Sequence, residues 1–259
     1  MHVEQVMGTA VSFDLRGDGD HEAAIRDAAA WFHEVDARFS TYRPGSEVMR
    51  LRRGELLEAS ADLAEVVASC DVLAAESDGA FDAHLPGGFD PSGYVKGWSV
   101  ERAARILRGH GCEAWCMNAG GDVLVSAADA SATPWRVGIR HPFDPGSIAM
   151  VLEVRDGAVA TSGRYERGDH IHDARSGRAA VGVASTTVCG PDLGLADAFA
   201  TAALVLGEAG PSWVAGLPGY ECWSVLDDGR VIATTGFPTL AHGVPVGTSA
   251  PTDPLRRAA

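Results

Sequence analysis

Apolar residues recur at three- and four-residue steps along His21–Phe39. Ile25, Ala28, Phe32, Val35 and Phe39 fall on one side of a helix there. A second such stretch, Ala61–Glu76, carries Leu63, Val66, Val67, Cys70 and Leu73, and Asp78-Gly79 stops it. A third helix is expected over residues 95–108, ending near Gly109 and Gly111. Strands are expected where the period shortens. Residues 7–15 alternate as one strand, and residues 113–118 and 123–126 flank the turn Ala119-Gly120-Gly121-Asp122. Residues 135–140 read as one more strand. Residues 150–154 and 158–161 flank Asp156-Gly157, the strongest hairpin signal in the chain. Residues 181–188 form another strand, and the apolar helix Leu193–Leu206 follows. Residues 222–226 and 231–234 flank Asp227-Asp228-Gly229 as a last hairpin. Residues 40–47 and 81–93 read as loops.

Helices crowd the first half and hairpins the second. That order predicts an α+β fold with mixed or antiparallel sheets rather than a doubly wound parallel one. No internal repeat or linker stands out. Residues 1–241 are therefore expected to form a single compact unit of two lobes, and residues 242–259, mostly Pro, Thr, Arg and Ala, a flexible C-terminal tail.

The 259 residues carry 21 basic and 35 acidic side chains, a formal charge of −14. A nucleic-acid binder shows a basic footprint, and an anionic membrane surface attracts one, so both partners are disfavoured. An anionic substrate needs local positive charge or a metal to offset this field. No run of about 18 apolar residues predicts a transmembrane helix, and the first residues lack the basic and apolar regions of a signal peptide. Five cysteines, an odd number without C-x-x-C spacing, read as free thiols in a reducing compartment. A cytoplasmic location is the expectation.

Two segments carry the main candidate chemistry. In Ala196-Asp197-Ala198-Phe199-Ala200-Thr201-Ala202, a carboxylate and a hydroxyl four residues apart share one helix face. They can simply offset the helix dipole and bond back to a carbonyl. Their apolar surroundings favour burial instead, and a buried carboxylate needs a partner; an all-oxygen donor set suits Mg²⁺ better than zinc. In Asp90-Pro91-Ser92-Gly93-Tyr94-Val95-Lys96-Gly97-Trp98, the plain reading is an Asx-turn opening the third helix with a solvated lysine. The functional one frees the Gly93 carbonyl for a cation and points Lys96 at an anionic ligand. His170-Ile171-His172-Asp173 can be a surface pair, a metal pair on one strand face, or the source of a general base. Asn118-Ala119-Gly120-Gly121-Asp122 is either only a turn or a close backbone approach to a ligand. Dinucleotide, P-loop and G-x-S-x-G fingerprints are absent.

Taken in order, the segments from Met7 to Gly207 resemble the FAD:protein FMN transferases, the ApbE-like flavin transferases. The resemblance rests on Met7-Gly8-Thr9, Phe39-Ser40-Thr41-Tyr42-Arg43-Pro44 with Ser46-Glu47, Gly79-Ala80-Phe81-Asp82, and the Asp90 to Gly97 turn. It continues through Asn118 to Asp122, Ala160-Thr161-Ser162-Gly163 with Tyr165 and His170, Ser185-Thr186-Thr187-Val188, and Ala196 to Thr201. The resemblance implies an α+β fold with FAD in a cleft between two lobes. It implies FAD contacts from Met7, Tyr42, Asp90 and Lys96, and a Mg²⁺ site from Gly93, Asp197 and Thr201. The implied reaction moves FMN from FAD to a threonine hydroxyl of an acceptor flavoprotein and releases AMP. His170 matches the family's histidine and is the candidate base, with Asp173 as its orienter.

Three departures stand out. The family is often exported and lipid-anchored, and no such segment is seen here. The stretch between Phe81 and Asp90 is short, and Pro91-Ser92 replaces more hydrophobic or Gly-rich residues. The chain lacks the family's acceptor pattern, so a separate acceptor is expected. Two competing readings are an FAD pyrophosphatase yielding FMN and AMP, and a non-catalytic FAD-binding protein.

Overall fold

The computed structural model describes residues 1–164 and 171–237; the expected tail at 242–259 and His170 lie outside them. The chain opens with strands β1 (His2–Val6) and β2 (Thr9–Arg16), then helices α1 (His21–Phe39), α2 (Glu47–Arg52) and α3 (Ala61–Glu76). A small hairpin, β3 (His84–Leu85) and β4 (Gly88–Phe89), leads into α4 (Ser92–Gly109). Strands β5 (Ala114–Ala119), β6 (Asp122–Ala127), β7 (Trp135–His141), β8 (Asp144–Val154) and β9 (Gly157–Gly163) follow. After them come β10 (His172–Asp173), β11 (Arg178–Ala179), β12 (Val183–Gly190), α5 (Leu193–Leu206), a 3₁₀ turn at Gly207–Ala209, α6 (Gly210–Val214), β13 (Glu221–Leu226) and β14 (Val231–Ala233).

Eight strands form one sheet in the order β1-β2-β5-β6-β9-β12-β13-β14. Every pairing in it is antiparallel. The sheet is a meander: its strands lie side by side in chain order, and everything else is inserted between them. Strand pleating sends alternate side chains to opposite faces. Trp115, Met117, Leu124, Ala158, Ala160 and Val188 join Phe32, Val35, Leu63, Val100, Leu107 and Phe199 in the core beneath the helices. Val123, Val125, Val159, Trp223 and Val225 meet Trp135, Val137, Ile139 and Leu152 of the β7–β8 hairpin on the other side. Covered on both faces, β6 is buried along its whole length, which explains its unbroken apolar run Val-Leu-Val.

α1, α3 and α5 have the bounds their periodicity predicts. Asp20, Ser60 and Asp192 cap them by accepting from Ala23, Leu63 and Leu195 N–H at 3.1, 3.2 and 2.8 Å. Elsewhere the structure corrects the expectation. The strand expected at 7–15 begins only at Thr9, because Met7 (φ 54°) and Gly8 (φ 70°) form the left-handed turn of a tight hairpin whose first strand, β1, was not expected. The expected loop at 40–47 runs into α2, whose cap is Ser46 accepting from Met49 N–H. The loop expected at 81–93 holds the β3–β4 hairpin. α4 begins at Ser92, where the Pro91 carbonyl accepts from both Tyr94 and Val95 N–H. One stretch, Leu193–Val214, is long and apolar enough to cross a membrane by length and composition. It is the core helix of the fold: most of it is buried, and the chain breaks at Gly207.

Candidate functional site

α4 and α5 meet where each presents a glycine. A Cβ on Gly97 would stand 2.5 Å from the Leu193 carbonyl oxygen and 2.7 Å from Gly194 Cα. One on Gly194 would stand 3.1 Å from Trp98 N. Only bare backbone permits this approach. α4 also completes the start of α5, because Glu101 Oε1 accepts from Leu193 N–H at 2.7 Å. Burial pushes the Glu101 carboxyl above the ordinary glutamate range, and that hydrogen bond partly opposes the rise.

The residue before Gly97 is Lys96. Its ammonium pairs with Asp122 Oδ2 and lies 3.5 Å from Asp197 Oδ2. Asp122 is 1% exposed and Asp197 5%. Asp122 opens β6, and its other oxygen accepts from Thr161 N–H of β9 at 2.9 Å. The carboxylate thus continues the sheet's hydrogen bonding one step past the strand. Three elements, α4, β6 and α5, converge on one cation between two buried anions. Unpaired, either carboxylate would be costly here.

Hydroxyl pairs lie on the same elements, α5 and β9. Thr201, one turn along α5 from Asp197, has its Oγ1 2.9 Å from Ser162 Oγ on β9. On the opposite face of β9, Thr161 Oγ1 lies 2.9 Å from Thr187 Oγ1. The turn before Asp122 uses Gly120 (φ 63°) and Gly121 (φ 105°). Asn118 Oδ1 accepts from Gly121 N–H at 2.8 Å, and a Cβ on Gly120 would stand 2.5 Å from Thr9 Oγ1. The turn is therefore both a hairpin and a close approach to the β1–β2 hairpin.

The residues singled out in the sequence separate into groups. Lys96 and Asp197 come together. Thr201 follows Asp197 on the same helix. Met7 joins from the β1–β2 turn: its sulfur lies 3.9 Å from Ser99 Oγ, which donates to the Lys96 carbonyl at 2.6 Å. Gly93 sits in the first turn of α4, where a Cβ would press on the Phe81 ring at 3.1 Å. Asp90 forms the expected Asx-turn, accepting from Ser92 N–H at 3.1 Å, and its Oδ2 lies 3.4 Å from an Arg52 nitrogen. The solvated lysine of that plain reading is not found, because Lys96 is ion-paired. Tyr42 stands in the loop after α1 with 91% of its surface exposed. His170 lies outside the described residues. Asp173, its expected orienter, is engaged by Arg175 at 2.7 Å and Ser176 at 3.1 Å, and the guanidinium holds its carboxyl below the ordinary range.

Sequence reasoning included Asp122 and Ser162 in candidate segments but gave their side chains no role, and it missed Glu101 altogether. The available signal for Asp122 was an acidic residue placed directly between Gly-Gly and an apolar strand. Among the described residues no group of three or more His, Cys, Asp or Glu side chains is disposed to hold a metal. A hard cation needs no such group, because hydroxyl and carbonyl oxygens serve it. The Asp197 carboxylate, Thr201 hydroxyl and Gly93 carbonyl are donors of the right chemistry.

Behind Thr161, on the hairpin side of the sheet, lies a cleft of about 280 Å³. Cys116, Asn118, Gly121 and Thr161 form one wall, and residues 136–140 of β7 the other.

The fold is thus an antiparallel α+β meander that sets a half-buried lysine between two buried aspartates. The chain belongs to the ApbE family, whose model matches residues 7–87 and 85–223. The FAD:protein FMN transferase of Rhodobacter capsulatus is 36% identical over 171 residues, covering 62% of this chain and 32% of that protein. The FAD:protein FMN transferase of Vibrio cholerae is 34% identical over 129 residues, covering 46% and 39%. The matches thus span less than half the length of these relatives. The apbe protein of Thermotoga maritima shares the fold, with a TM-score of 0.84 over 93% of this chain and 98% of that one at 22% identity.

Proposed function

We propose that this chain is an Mg²⁺-dependent flavin transferase that moves FMN from FAD to a threonine hydroxyl of an acceptor protein. The carrying observation is Lys96 held between Asp122 and Asp197, with Thr201 on the same helix as Asp197. Family membership and relatives named FAD:protein FMN transferase support the same reading. In the proposed reaction the threonine oxygen bonds to the phosphorus on the FMN side of the pyrophosphate. The bond from that phosphorus to the bridging oxygen breaks, and AMP leaves with the electron pair. The hydroxyl proton passes to a base, for which His170 is the candidate.

Each part of the site has a role in this reading. Lys96 donates to pyrophosphate oxygens, and Asp122 fixes its position. Met7, Tyr42 and Asp90 contact the rest of the FAD. Asp197, Thr201 and the Gly93 carbonyl hold Mg²⁺, which when bound supplies positive charge against that gathering on the phosphoryl oxygens. The protein's own −14 charge makes that supply more necessary. The five cysteines are all free, which supports a cytoplasmic location.

The test is incubation with FAD and Mg²⁺, with and without a threonine peptide carrying the family's acceptor pattern. Flavins, AMP and peptide are then separated. AMP formation matched by a peptide gaining the mass of FMN is the expected result. FMN and AMP without labelled peptide would mean a pyrophosphatase, and FAD left intact throughout would mean a binding protein. A His170→Ala variant with an undiminished rate would remove His170 from the scheme.

A further inference from the structure

Arg52, the last residue of α2, reaches across to the segment that opens α4. Its Nε–H donates to the Phe89 carbonyl at 2.8 Å, and a terminal nitrogen of the same guanidinium lies 3.4 Å from Asp90 Oδ2. The other terminal nitrogen meets the Met49 sulfur at 3.8 Å. The stem of the arginine runs over the β3–β4 hairpin at Gly88. A Cβ there would stand 2.9 Å from Arg52 Cγ and 3.2 Å from Cδ, and the Gly88 φ is 102°. Only glycine lets the arginine lie so close.

Asp90 is held from two sides. Its Oδ1 accepts from Ser92 N–H at 3.1 Å and from the Ser92 hydroxyl, within the turn that starts α4. Its Oδ2 faces Arg52. Its own N–H donates to the Ala83 carbonyl at 2.7 Å, which ties the backbone to the base of the hairpin. The carboxylate is the more exposed partner of the ion pair, at 28% against 18% for the arginine side chain. A carboxylate accepts at about four lone-pair sites and has no proton to give. With three donors placed on it, Asp90 can still accept from an N–H or O–H of a ligand, and it repels a phosphate oxygen.

We infer that Arg52 is a positioning residue of the flavin site. It acts through Asp90, fixing the carboxylate to accept from an N–H or O–H group of FAD, and so sets affinity for FAD rather than the rate of the chemical step. This rests on the flavin transferase reading for the contact between Asp90 and FAD. The observation that carries it is the way Arg52 divides its nitrogens. Nε alone latches the hairpin through Phe89, and the guanidinium end is spent on Asp90.

Arg52→Gln separates the two tasks. A glutamine amide nitrogen stands where arginine has Nε, so it can still donate to the Phe89 carbonyl, while no cation faces Asp90. Asp90→Asn keeps an acceptor for Ser92 and removes the charge. Flavin fluorescence in EDTA gives the FAD affinity of the wild-type chain, both single variants and the double variant. Arg52→Gln should weaken FAD binding about tenfold on its own and less than about twofold in the Asp90→Asn background. With Mg²⁺ and saturating FAD, its kcat for AMP release should stay within about twofold of wild type, so that the loss falls on KM. Equal weakening in both backgrounds makes Arg52 a latch for the hairpin only, and unchanged affinity removes it from the site; either result overturns the inference. Arg52→Lys is the converse, with a cation in reach of Asp90 but no Nε donor, and should hold FAD within about threefold of wild type. It decides the matter if Arg52→Gln shows no urea transition, and a tenfold or greater loss in it overturns the inference too. A wild-type chain that binds no FAD strikes the flavin reading and the inference together. One that binds FAD while the variants break this pattern strikes the inference alone.

Discussion

Replacing Gly97 by alanine tests whether the glycine crossing of α4 and α5 sets the site. The new methyl would lie 2.5 Å from a carbonyl oxygen and 2.7 Å from a Cα, where ordinary contact begins at 3.4 Å. Both are backbone atoms, so no side chain can rotate away, and the helices must part by about 0.9 Å at the oxygen. Alanine gains about 0.5–1 kcal/mol in helix propensity over glycine. Overpacking of this kind costs about 1–3 kcal/mol, more here because the fixed atoms belong to a second helix. A net loss of about 1–2 kcal/mol is expected. Lys96 is the adjacent residue, so the same displacement moves its ammonium away from Asp197, now 3.5 Å distant. Misplacement by about 1 Å can lower a rate about 100-fold. Gly109→Ala is the internal control. It lies in the same helix with nothing within 4 Å of a built Cβ, and should be neutral or slightly stabilising. Urea midpoints give the stability of both variants, and AMP release with FAD binding gives their function. If Gly97→Ala matches Gly109→Ala in both, the close crossing is not what positions the lysine.

Chelation by EDTA should abolish AMP release and Mg²⁺ should restore it, with Ca²⁺ a poor substitute because it takes a larger and looser oxygen shell; a full rate in EDTA would dismiss the metal. Asp122→Asn keeps an acceptor for Thr161 N–H but removes the charge facing Lys96, and should cost about 1–3 kcal/mol, below the full value for a buried pair because the lysine is 30% exposed. Asp122→Ala should cost about 1 kcal/mol more by urea denaturation, since the Thr161 N–H also loses its partner. Glu101 has a raised folded pKa, so the folded state binds its proton more tightly than the unfolded one. Its contribution to stability is greatest below the ordinary glutamate value of 4.5 and declines as pH rises through the folded pKa. Glu101→Gln should therefore flatten the decline of melting temperature above pH 4.5 while leaving the acid end unchanged; an unaltered profile would contradict this.

Long helices were legible because three turns or more repeat the 3.6-residue period and polar caps mark their starts. α1, α3 and α5 are such cases, and each cap is a Ser or Asp that accepts from a first-turn N–H. β3, β4 and α2 are too short for any period to register. β1 and its turn were hidden because His-Val-Glu-Gln-Val does not alternate and buries only Val6. The shared helix of Asp197 and Thr201 was readable from a four-residue spacing within an apolar run. The ion pair of Lys96 with Asp122 was not, because nothing in the local pattern of α4 or β6 records which strand end a helix will cross. The same holds for Glu101, whose role depends on α5 arriving beside it.

The meander has a consequence for how the molecule comes into being. Each strand of the main sheet pairs with the one before it in the chain, so the sheet can grow in step with synthesis, paying little loop-closure entropy at each addition. The chemistry does not grow that way. Lys96, Asp122, Thr161 and Asp197 are dealt out one after another, each from a different insert or strand. A nascent chain stopped before α5 has most of its sheet and a lysine already neutralised by Asp122. It lacks the second carboxylate that would draw in a cation. The last side chain of the cluster thus comes from an element made after six of the eight strands of the main sheet, so the cluster is completed late while the scaffold that holds it is laid down early.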